Sequence, residues 1–149
     1  MESRKEVLRL SFSKDELLEA LKTFTLDLIV KTYSFLDSIG RAKDYSEMMG
    51  QSLALRVQKA FGKDKGYAIN YLNLILRALG LPLFQQDGKK YRFECSPESC
   101  FLMRAASVTQ STFSHAFCDS FLTGYLTSSG FSVKSQLPSE KEKGKIEAK

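Results

Sequence analysis

Leu17, Leu18, Leu21, Phe24, Leu28 and Ile29 recur at helical spacing and predict a helix with one wide apolar face. Ser13 stands three residues before Glu16, the spacing of a capping box, so the helix begins there. It runs on to Leu36 or Ile39, and Gly40 stops it. Ahead of it, Val7 to Phe12 alternate, with Leu8, Leu10 and Phe12 on one side, and predict a short strand. A second helix, about Tyr45 to Phe61, carries Met48, Met49, Leu53, Leu55 and Val57, and Gly62 closes it. A third, about Lys65 to Leu79, ends at Gly80, which can take a left-handed conformation, and Pro82 forbids continuation.

Beyond Pro82 the period changes. "LPLFQQDGKKYRFEC" predicts a hairpin turning at Asp87-Gly88, with positive φ at both positions, and sets Tyr91, Phe93 and Cys95 on one face. "CFLMRAA" fits either another strand or a connection. Gln110 to Ser128 predicts a helix, with Phe113, Phe117, Phe121, Leu122, Tyr125 and Leu126 inward and Gly130 at its end. "FSVKSQL" alternates as a strand, and a last strand about Lys145 to Ala148 follows. The expectation is α+β: helices packed on one face of an antiparallel sheet, in a single domain spanning 1–149. An N-terminal strand and helices fill 5–80; the hairpin, late helix and C-terminal strands fill 81–149.

Length and composition are ordinary for one globular domain: 149 residues, 43% apolar, 26% charged. Charge interrupts every apolar stretch within about ten residues, so no membrane span of ~20 is expected. The start lacks the apolar core and cleavage site of a signal peptide, and the three cysteines are an odd count for a secreted disulfide framework. Both point to the cytoplasm. The net charge is +5, but acids are scattered among the bases. Without a clustered basic face or a reading motif, the pattern argues against a nucleic-acid partner.

The first helix is apolar around much of its circumference, from Phe24 through Leu26, Leu28, Ile29, Val30 and Tyr33 to Leu36. A helix of that kind is covered on all sides. It is either a central core helix or, as favoured here, partly covered by a second subunit in a homodimer.

Two side-chain sets carry candidate chemistry. Cys95, Cys100, His115 and Cys118 supply three thiolates and an imidazole, a donor set suited to tetrahedral zinc. His115 and Cys118 lie three apart on the predicted helix, and Pro97 can bend the chain between Cys95 and Cys100. The plainer alternative is that the cysteines pack as small hydrophobes. The second set is aromatic: Phe113, Phe117, Phe121 and Tyr125 on the late helix face Tyr91, Phe93, Phe101 and Met103. They form either the walls of a pocket for a small hydrophobic ligand or a filled core. A Cys118–His115 nucleophile and base lacks a third orienting group, and no phosphate-binding glycine loop follows a strand. No catalytic residue is assigned.

Three pieces of the chain, over residues 26–149, resemble the 4-vinyl reductase domain family, which is related in fold to subunits of the TRAPP vesicle-tethering complex. They are Gly50 within a helix, the leucine-rich helix ending in Leu79-Gly80-Leu81 before a hairpin, and Cys118 with Phe121, Gly124 and Leu126. The resemblance implies a non-catalytic domain that binds a small hydrophobic or aromatic ligand in sensing or regulation. It also leaves open a ligand-free TRAPP-like interaction scaffold, or an accessory subunit of a reductase. Some members bind zinc through a cysteine like Cys118, a later glutamate and two cysteines near the C-terminus. Here Gln136 and Ser139 stand about where that glutamate and the first cysteine would be, and no cysteine follows Cys118, so that site is not expected to form as such.

Overall fold

The Oγ of Ser13 accepts the Glu16 amide at 3.2 Å and opens α1 (Lys14–Ser38) where the capping spacing places it. The structure, a computed structural model, describes residues 11–96, 100–139 and 142–149. Most of the strand expected at Val7 to Phe12 lies outside those residues; Phe12 is exposed and belongs to no strand. α2 (Ala42–Phe61) and α3 (Lys65–Ala78) follow, the latter capped by Asp64 Oδ1 on the Tyr67 amide at 2.9 Å. α2 begins a turn earlier than its apolar pattern suggests, because Ala42 and Ser46 are buried without being large.

The hairpin joins β1 (Gln85–Asp87) to β2 (Lys90–Cys95). Asp87 pairs with Lys90, so the turn residues are Gly88 and Lys89 and not Asp87-Gly88 as the sequence suggests. Of the two, Gly88 alone has positive φ, 63°, the sign pattern of a type II′ turn with glycine first. Asn73 of α3 anchors the approach to this hairpin: its side chain accepts from the Phe84 amide at 2.8 Å and donates to the Phe84 carbonyl at 3.1 Å.

"CFLMRAA" is neither strand nor connection. It forms α4 (Phe101–Val108), whose inner face is Leu102, Ala105 and Ala106. The late helix, α5 (Ala116–Ser128), starts six residues after the expected Gln110. Residues 110–115 are instead turned back by the left-handed Gln110 (φ 53°), by Ser111 N–H on the Ala106 carbonyl, and by Thr112 N–H on Ser34 Oγ.

β3 (Val133–Gln136) and β4 (Gly144–Ala148) complete a fully antiparallel sheet in the order β1-β2-β4-β3. Phe93 and Cys95 of β2 and Gly144, Ile146 and Ala148 of β4 are buried on one face. The other face carries the ion pairs Lys90–Glu147, Arg92–Glu147 and Arg92–Asp87. The fold is α+β, with five helices among the described residues.

α2 and α5 cross in close contact at two glycines. A Cβ on Gly50 would lie 2.1 Å from the Phe121 carbonyl oxygen, and one on Gly124 would lie 2.8 Å from that of Glu47. Tyr125, fully buried beside this crossing, donates its hydroxyl to the Ala68 carbonyl at 2.6 Å and ties α5 to α3.

Candidate functional site

All five helices and β2 surround a cavity of about 240 Å³. Thr25 and Ile29 of α1, Met49 and Leu53 of α2, and Ile75 and Leu76 of α3 form much of its wall. Phe93 and Cys95 of β2, Cys100 and Leu102 at the start of α4, Phe117, Cys118, Phe121 and Leu122 of α5, and the segment after α3 at Leu79, Leu81 and Pro82 close the rest. Among the described residues no polar atom opens onto it. An apolar cavity of about 150 Å³ accommodates benzene, so this one suits a hydrocarbon of roughly ten heavy atoms.

Of the eight residues proposed as pocket walls, Phe93, Phe117 and Phe121 line this cavity. Phe117 and Phe121 are stacked, their ring centres 5.7 Å apart, with the void alongside the pair. The other five face elsewhere. Phe113 lies in the loop before α5 and packs against Tyr33 and Phe117, while Tyr91 meets Phe131 edge-on. Phe101 lies under Lys22 and Arg104, Met103 is half-buried against the core, and Tyr125 is spent on Ala68. Sequence reasoning favoured aromatic rings; it missed Ile29, Leu53, Ile75 and Leu122, which carry no signal apart from ordinary core periodicity.

At one end of the cavity the donor atoms of Cys95, Cys100 and His115 lie within 4.8 Å of one another and could hold a metal ion. Each comes from a different setting: the end of β2, the N-cap of α4 and the residue preceding α5. His115 Nδ1 stands 4.0 Å from Cys95 Sγ. Its Nε2 is buried and has no hydrogen-bond partner among the described residues, so the fold does not otherwise engage the ring. Around a tetrahedral zinc, with bonds of roughly 2.0–2.3 Å, such donors sit about 3.6–3.8 Å apart. The three must therefore close in by at most about 1 Å. Cys118, the fourth donor in the sequence reading, lines the same cavity but stands outside this group.

Protonation favours coordination at Cys100 and His115, whereas Cys95 gives up its proton only when the ion displaces it. The Cys95 thiol, hydrogen-bonded to Cys100, lowers the Cys100 pKa to about 6, against burial, and the amides of Leu102 and Met103 assist. Cys95 is held well above the ordinary thiol range, by that same hydrogen bond first and by burial second. Burial also raises Cys118 and lowers His115, which keeps the imidazole neutral and able to coordinate. Behind the cluster lies a small cleft bordered by Cys95, His115, Cys118, Asp119 and Gln136. Gln136 faces the same cleft as Cys118, with its amide bonded to Glu142.

No helix among the described residues is long and apolar enough to cross a membrane. No protein-family model, curated protein or solved structure matches the chain.

Proposed function

We propose that this protein is a non-catalytic binding domain for a small hydrophobic ligand, acting in sensing or regulation. The observation that carries the reading is the apolar cavity shared by every described helix. A ligand there touches all five at once, so its binding favours one packing of the helices over others. Among the described residues the wall holds no carboxylate, lysine or histidine, and its titratable groups are the thiols of Cys95, Cys100 and Cys118. Gly50 and Gly124, two of the residues behind the likeness to 4-vinyl reductase domains, set the α2–α5 crossing that helps frame the cavity. The void beside Phe117 and Phe121 favours this reading over a ligand-free scaffold.

Zinc at Cys95, Cys100 and His115 completes the site. Two thiolates and a neutral imidazole suit that ion, and a reducing compartment such as the cytoplasm keeps the thiols available.

The partner is a second copy of the chain. Leu17, Leu21, Phe24, Leu28 and Phe35 are each more than half exposed, on the side of α1 opposite the buried Leu26, Val30 and Tyr33. Their three- and four-residue steps form a seam for another helix. Lys31 interrupts it. Parallel pairing sets Lys31 against itself, whereas antiparallel pairing about Phe24 separates the two lysines and sets each opposite Leu17 of the other chain.

The ligand reading is tested with 1-aminonaphthalene, whose eleven heavy atoms suit the cavity and whose emission shifts to the blue in apolar surroundings. One probe is expected to bind per chain, and Leu53→Trp, which fills the cavity, is expected to abolish binding while thermal unfolding remains cooperative. Absence of binding, or binding indifferent to Leu53→Trp, overturns the reading.

A further inference from the structure

We propose that the metal held by Cys95, Cys100 and His115 turns its fourth coordination position toward the cavity, where it takes the thiolate head of a hydrocarbon-bodied ligand. This rests on the reading above and names the ligand class. Cys95 and Cys100 belong both to the donor group and to the cavity wall, so a metal bound between them lies at that wall. A set of two cysteines and one histidine leaves a tetrahedral zinc one position short, open to a molecule from outside the chain. Cys118 is the only other thiol, and it stands outside the donor group.

Among the described residues no polar atom opens onto the wall to orient a ligand. Hydrophobic pockets ordinarily fix orientation through a few polar groups; among the described residues the metal is the one anchor available. Coordination is an exchange: the ligand's sulfur lone pair takes the fourth position, solvent leaves it, and the thiol proton passes to solvent. Nothing is oxidised or reduced. A chain of about eight carbons behind the sulfur fills a volume of this size.

The test compares 1-octanethiol with nonane, which replaces the thiol by a methyl group, on the full chain loaded with zinc or with cobalt as a spectroscopic substitute. On the metal-loaded protein, octanethiol is expected to bind about tenfold or more tighter than nonane. The sulfur-to-cobalt absorption should strengthen as a third thiolate joins, and before any ligand is added the cobalt spectrum of Cys118→Ser should show the same two thiolates as the parent. On metal-free protein the preference disappears. Equal affinity with an unchanged cobalt spectrum overturns the anchoring while leaving the cavity reading intact. Failure to take up metal overturns it as well, as does a cobalt spectrum that shows three thiolates before any ligand is added and loses one in Cys118→Ser. Binding of neither molecule overturns both readings together.

Discussion

Cys100 and Cys95 share one proton unevenly, and the arrangement sets how the site responds to acid. Cys100, with its pKa near 6, is a thiolate at neutral pH because the Cys95 S–H and the α4 amides face it. A depressed pKa contributes stability that is complete above the unfolded thiol value and lost as the pH falls through about 6. Cys95 and Cys118, both raised, contribute in the opposite sense and lose it as the pH climbs. Metal-free protein should therefore show a single thiolate appearing in the ultraviolet with a midpoint near pH 6, absent from Cys100→Ser. Zinc affinity should fall steeply below that pH, because protons then compete for Cys100. At Tyr125, replacement by Phe removes the bond to the Ala68 carbonyl and should cost about 1 kcal/mol by urea unfolding. The donor residues were legible in the sequence by type alone. That Cys118 falls outside the trio follows from where β2, α4 and α5 meet, which local spacing does not encode.

α2 and α5 approach so closely that backbone meets backbone, and backbone cannot swing aside as a side chain can. Gly124→Ala or Gly50→Ala should cost about 2–3 kcal/mol, read as a lowered Tm, and should also widen or collapse the neighbouring cavity. The long helices were readable because fourteen or more residues give a period time to declare itself. The eight residues of α4 did not: Phe101, Leu102 and Met103 are consecutive apolar positions that fit a strand as well as a helix. The start of α5 was misplaced because Ser111 and Thr112 are held in a loop by Ala106 and Ser34, partners outside their own segment. The hairpin was found but read one residue early, since its register is fixed by the pairing of β1 with β2 and not by the Asp-Gly pair.

Across the whole molecule, two apolar surfaces lack partners within the described chain: the outer face of α1 and the cavity wall. The first was visible in the sequence as a helix apolar around much of its circumference. The proposed pairing through this face predicts a dimer for the parent and a monomer for Phe24→Glu in light scattering after size exclusion, with the helical circular dichroism unchanged. The second was only half visible, because the aromatic stripe pointed to α5 while the wall draws aliphatic residues from α1, α2 and α3 as well. Whether that enclosure receives a guest is read most directly from methyl resonances during titration with nonane. Methyl signals of Ile29, Leu53, Ile75 and Leu122 should shift together to a single saturation point, while those of Val108 and Leu137, exposed and away from the cavity, stay in place. Unmoved cavity methyls at saturating nonane would contradict the account.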